Sequence, residues 1–101
     1  MNIVQRADEI EARARARTAE ALVTKDLAWW ARRMRRAAKR GLNTCSTEGR
    51  LFWNHRKRAT EEYLAALARE LGSDITTAHK PAWTSDGNQI IQYKAVVLSW
   101  T

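Results

Sequence analysis

Residues 75–100 read ITTAHKPAWTSDGNQIIQYKAVVLSW. β-branched and aromatic side chains dominate, and the turn-forming SDGN separates two apolar runs. An Asp-Gly pair suits a tight hairpin turn, because glycine accepts the positive φ that short hairpin loops require. The stretch therefore predicts an antiparallel β-hairpin with strands near 75–84 and 89–99. Pro81 lacks an N–H to give to a ladder, so the first strand belongs at a sheet edge or carries a bulge. On the second strand Ile91, Tyr93, Ala95 and Val97 share one face, which is expected to lie on the helices. The other face, with Ile90, Val96, Leu98 and Trp100, is too apolar to stand in water. It needs the N-terminal helix or a second copy of the chain as cover, which leaves homodimerisation through the N-terminal helix or the hairpin open. Two strands alone are marginal in water, so the upstream chain must supply the rest of the core.

That upstream chain is helical in character. Residues 3–40 hold no Pro or Gly and are rich in Ala, Arg and Glu, all good helix formers. Gly41 supplies a stop in the left-handed conformation, with Leu42 folding back on Ala37. A second helix is expected from a Ser46 or Thr47 cap, with Glu48 in its first turn, to Leu71, ending at Gly72. Its apolar face centres on Phe52, Ala59, Tyr63 and Leu67, flanked by Trp53, Leu64 and Leu71. Arg56 falls in the same sector, its stem expected on the core.

The first helical stretch changes phase. Ile3, Ala7, Ile10, Ala14 and Ala21 form one stripe, and Val23, Leu27, Trp30, Met34 and Ala38 form another on the opposite side. A straight helix would bury opposite faces in its two halves. The expectation is a break near Leu22–Thr24, with Thr24 as a new cap, or an N-terminal half that packs on something else.

The fold class that follows is α+β: two to three helices, counting a long or broken N-terminal helix and a second helix, then a C-terminal antiparallel β-hairpin. With 101 residues and 45% apolar content, the chain is one folded domain spanning 1–101. Residues 1–22 read as a helical arm, 23–71 as a basic helical pair and 73–101 as the hairpin. No apolar run approaches the roughly 18 residues that span a bilayer. The charged beginning lacks the apolar centre of a signal peptide. One cysteine, Cys45, permits no internal disulfide, which fits a cytoplasmic setting.

Charge is the informative quantity. The net +7 is uneven: residues 25–58 hold eleven cations and two anions, whereas residues 1–24 are neutral and 59–101 are net negative. Within LAWWARRMRRAAKR, residues 27–40, the adjacent Trp29 and Trp30 point about 100° apart on a helix. Trp30 joins the Val23–Leu27–Met34 stripe and reads as core. Trp29 falls nearly opposite, among Lys25, Arg32, Arg33, Arg36 and Arg40. This makes a cationic stripe about 20–25 Å long with an indole in its middle. Such a surface neutralises phosphates, and its aromatic ring can stack on a base or wedge into a groove. Lys39 lies alongside, and Arg50, Arg56, Lys57 and Arg58 would extend the patch from a packed second helix. The plainer account is that cations favour the last turns of a helix anyway, and that Trp29 stacks on Arg33 as a cation–π pair.

A second nucleic-acid reading takes Ala68, Leu71 and Gly72 as a helix-turn-helix turn, with a second helix at 73–80 and the hairpin as a wing. Its recognition helix would carry only His79 and Lys80 as basic groups. Enzyme chemistry has little support. His55 and His79 lack a cysteine or carboxylate at metal-ligand spacing, adjacent Glu61 and Glu62 diverge on a helix, and there is no phosphate-cradling glycine loop. No catalytic residue, metal or cofactor is expected. The functional expectation is a small non-enzymatic module that docks a cationic, Trp-bearing helix onto nucleic acid. The rival is a protein inhibitor or adaptor gripping an acidic surface of a host complex. Bacteriophages and mobile elements use small basic proteins in this way, for example as anti-CRISPRs, and that link is analogy alone.

Overall fold

The computed structural model describes residues 2–49 and 54–101. The elements run α1 (Ile3–Lys39), β1 (Thr44–Ser46), α2 (His55–Arg58), α3 (Glu61–Leu71), β2 (Thr76–Asp86) and β3 (Gln89–Ser99). The architecture is α+β, with a C-terminal antiparallel hairpin following the helices. Arg50, Phe52 and Trp53 lie outside the described residues.

α1 does not break. Asn2 caps it through a reciprocal pair: the Gln5 N–H donates to Asn2 Oδ1 at 2.8 Å, and the Asn2 N–H donates to Gln5 Oε1 at 3.3 Å. Thr24, the residue expected to cap a new helix, instead donates its hydroxyl to the Glu20 carbonyl at 3.0 Å, as Thr18 does to Ala14 at 2.9 Å. Both hydroxyls are satisfied by the preceding turn, so neither competes with the helix. The opposed stripes are accommodated by burying only one of them. Ala19, Val23, Asp26, Trp30 and Ala37 are buried, while Ile3 and Ile10 stay 84% and 53% exposed. The helix stops as its sequence requires. The Leu42 N–H donates to the Ala37 carbonyl and the Gly41 N–H to that of Ala38, each at 3.0 Å, with Gly41 at φ 76°. This is a Schellman closure.

The second helix differs from expectation at its start. Ser46 and Thr47 do not cap a helix. Thr44–Ser46 pair with Val97–Ser99, and Thr47, fully buried, exchanges two 3.0 Å bonds with the backbone of Val96 through its own N–H and its hydroxyl. The capping hydroxyl is thus occupied by the sheet. Asn54 caps the single turn of α2 at Lys57, and Thr60 caps α3 at Tyr63. The break at Ala59–Thr60 shifts the helical phase, so Arg56 is exposed and Arg58 is buried, the reverse of a continuous wheel. Gly72 ends α3 at φ 90°, donating to the Ala68 carbonyl at 3.0 Å. Residues 73–80, the second helix of the helix-turn-helix reading, form no helix: 76–80 are strand.

The sheet order is β1–β3–β2, which leaves the Pro81-bearing β2 at an edge. Gly87, at φ 61°, takes the first of the two turn positions between Asp86 and Gln89. The face of β3 that meets α1 and α3 is not the expected one, which instead meets α2 through Tyr93. Val96 and Leu98 join Val23, Trp30, Tyr63, Ala66 and Leu67 in the core, and Trp100 packs against it. On the alternate face, described contacts come from the Glu48–Gly49 turn and from His55 of α2. The Gly49 N–H donates to the Tyr93 hydroxyl at 3.2 Å, the His55 ring stacks on Tyr93 with centroids 4.1 Å apart, and Glu48 pairs with Lys80 at 2.6 Å. The face of Val96, Leu98 and Trp100, expected to need the N-terminal helix or a second copy as cover, packs on α1 and α3, while Ile90 at its far end stays 74% exposed.

The core holds a charged network. Arg58 forks onto Asp26, with Nε to Oδ2 at 2.6 Å and Nη2 to Oδ1 at 2.8 Å. Tyr63 donates its hydroxyl to the same carboxylate at 2.6 Å, and the Trp30 indole N–H donates to the Tyr63 oxygen at 3.1 Å. Burial, then the bond to Asp26, raises the Tyr63 phenol well above its ordinary value of 10.0. The unfolded chain releases this proton near pH 10 and the folded chain keeps it. The stability it contributes is therefore whole below about pH 10 and is lost as the pH climbs above it. The urea midpoint of the native chain should fall above that pH, and Tyr63→Phe should flatten the fall. An equally steep decline in Tyr63→Phe would assign it to other groups.

Candidate nucleic-acid interface

The long helix sets the geometry of the site. Its C-terminal half is buried along the stripe of Trp30 and Ala37, so residues out of phase with that stripe face outward. Lys25, Arg32, Arg36, Lys39 and Arg40 are exposed, while Trp29 and Arg33 are half-buried. Trp29 is not opposite the core. Its ring meets that of Trp30 edge to face, with centroids 4.8 Å apart and planes at 78°, and the Arg33 guanidinium sits 5.2 Å from its centroid. Edge-to-face contact matches the positive rim of one ring to the negative face of the other, and the cation adds to that attraction. Arg33 in turn reaches the carbonyls of Ser46 at 3.4 Å and Glu48 at 3.5 Å. Trp29, Arg32, Arg33 and Arg36 together line a shallow cleft of about 220 Å³.

Two expected members stand elsewhere. Arg58 is spent on Asp26 inside the core, so it adds no charge to the surface. Arg50 lies outside the described residues. Lys57 is exposed on α2, and the Arg58–Asp26 fork anchors that turn to α1 beside Lys25.

The sequence reading missed a second concavity of about 850 Å³, between the hairpin and the Glu48–Gly49 turn, with Trp83, Tyr93 and Lys94 in its lining. Trp83 is 74% exposed. The available signal was an aromatic residue two positions past Pro81 on an edge strand.

Cys45 sits in β1 opposite Leu98, and His55 stacks on Tyr93. Burial pushes the Cys45 thiol up, against a smaller opposing pull from Arg33, so it is a weak nucleophile. Among the described residues no three His, Cys, Asp or Glu side chains gather as a metal site, and no helix is long and apolar enough to cross a membrane. No family model, curated protein or solved structure matches the chain.

Proposed function

We propose that the protein is a non-enzymatic nucleic-acid-binding module that lays the C-terminal half of α1 against a phosphate backbone. The observation that carries this reading is the α1 cleft, where three arginines surround one indole on a rigid helix. Arginine forks match phosphate oxygens, and Arg33 is already oriented by its carbonyl contacts. Lys25, Lys39 and Arg40 extend the charge along the helix, and Lys57 adds to it from α2. The reading places the protein in the cytoplasm, where nucleic acid is accessible.

Salt titration tests it. With about five phosphates neutralised, log K for duplex DNA should fall against log salt with a slope of roughly −4 to −5. Replacing Arg32 and Arg36 together by alanine should reduce that slope by about two. No binding of duplex or single-stranded DNA at about 50 mM salt would overturn the reading and favour an acidic protein surface as the partner.

A further inference from the structure

The N-terminal third of α1 carries an apolar face that the domain does not use. Ile3, Ala7, Ile10 and Ala14 are all exposed, Ile3 at 84% and Ile10 at 53%. At about 100° per residue, their stripe lies on the side of α1 opposite the buried Ala19, Val23 and Trp30. A partner reaches it without meeting α3 or the sheet. Contact with the rest of the domain begins further along, where Arg15 bonds Glu62 at 3.3 Å and Ala19 joins the core. The arm is already helical, capped by the Asn2–Gln5 pair and continuous with the packed part of α1, so docking carries no cost of nucleating it. The spacing of the stripe says what fits. Steps of four, three and four residues are the alternation of a coiled-coil seam, with Ala7 and Ala14 at one repeating position and Ile3 and Ile10 at the other. Such a seam takes another helix, and its flanks choose which one. Arg6 and Arg13 flank the alanines on one side, and Glu11 flanks Ile10 on the other. Two parallel copies in register bring Arg6 of each beside Glu11 of the other, opposite charges. Two antiparallel copies bring like flanks together, arginine on arginine and glutamate on glutamate. In the single chain Arg6 pairs with Glu9 at 3.5 Å and Glu11 with Arg15 at 2.6 Å, at exposed positions where such pairs exchange at little cost.

We infer that residues 3–14 form a parallel, in-register seam with the same segment of a second copy of the chain. Ile3 meets Ile3 and Ile10 meets Ile10 across the twofold axis, and the alanine layers let the two helices approach closely. The apolar run ends at Arg17, an exposed cation at the next isoleucine position. Beyond it the same face of α1 carries Lys25, Arg32 and Lys39, whose charges repel a parallel neighbour, so the two chains diverge there. A seam this short makes a weak dimer that forms as concentration rises. The pairing does not depend on what the basic stretch of α1 binds.

Single cysteines in a Cys45→Ser background test it. Ala7→Cys and Ala14→Cys should each form a disulfide-linked dimer with itself in a glutathione redox buffer. Parallel layers in register bring the two Cα atoms into the ~4.4–6.8 Å range that a disulfide spans. Ala12→Cys, exposed on the opposite side of the arm, should stay monomeric under the same conditions. Adding Ile10→Asp to Ala7→Cys should abolish the cross-link. Because Ile10 is exposed in the single chain, the melting temperature should not fall, which separates lost contact from lost fold. In the Cys45→Ser parent, sedimentation equilibrium should show a mass that rises with concentration, and Ile10→Asp should remove the rise. An antiparallel pair can bring at most one of Ala7 and Ala14 against its own copy, so a cross-link at one of them alone overturns the inference. Equal cross-linking at Ala12 overturns it as random collision. No cross-link at any of the three also overturns it, and leaves the arm to a helix of a different protein.

Discussion

Replacing Arg58 by alanine is expected to cost about 3–5 kcal/mol of folding stability, a large part of the roughly 5–15 kcal/mol that holds a domain of this size together. The guanidinium is 5% exposed, and besides its fork onto Asp26 it donates to the Asn54 carbonyl at 3.2 Å. Its removal leaves the Asp26 carboxylate buried, with the Tyr63 hydroxyl as its remaining described donor. An uncompensated buried charge is penalised far more than the intact pair is rewarded. Arg58→Lys should fall between, since an ammonium cannot satisfy both carboxylate oxygens from one position. The double change Asp26→Leu with Arg58→Met should recover most of the loss, because it removes both charges at once. Urea unfolding of the four proteins measures this directly. A loss below about 1 kcal/mol for Arg58→Ala would show that water reaches the carboxylate and that the network is not sealed.

The second large effect separates the adjacent tryptophans. Trp30→Ala should cost about 3–5 kcal/mol, since the ring is fully buried and its N–H is bonded to Tyr63. Trp29→Ala should cost less, about 1–2 kcal/mol, for the loss of one edge-to-face contact and part of the cation–π pair. It should also reduce nucleic-acid affinity, which Trp30→Ala would do only by unfolding the chain. Thermal melts paired with anisotropy distinguish the two. Equal destabilisation would make the pair a single core cluster and remove Trp29 as a wall of the α1 cleft.

The parts of this fold legible in the sequence are those set by short-range chemistry. Gly41 ends α1 because the local backbone needs a left-handed residue, and Gly87 turns the hairpin for a related reason. Trp30 is core because three- and four-residue spacings carry over into a continuous helix. What could not be read depends on contacts between distant segments. β1 is three residues long and exists only because the backbone of Val97–Ser99 is there to pair with it. The burial of Arg58 over Arg56 in α2 is not readable from a helical wheel, which assumes continuity through Thr60. The Asp26–Arg58 pair left one visible trace: an acid three residues from Val23 and four from Trp30, on the buried stripe. Such a placement calls for a cation from elsewhere, though it does not say which one. The cationic surface was legible because charge density is a property of the sequence itself. The aromatic cleft was not, since it exists only where the Glu48–Gly49 turn comes against the hairpin.

The uninterrupted α1 has a hydrodynamic consequence. Thirty-seven helical residues extend about 55 Å, matching the molecule's longest extent of 54 Å against a thickness of 19 Å. The radius of gyration is 15.7 Å, where a compact chain of this length would have about 13 Å. A single copy therefore tumbles and diffuses like a larger sphere. In gel filtration a single copy should elute ahead of compact standards of equal mass, and light scattering across the peak distinguishes that shift of shape from a true dimer.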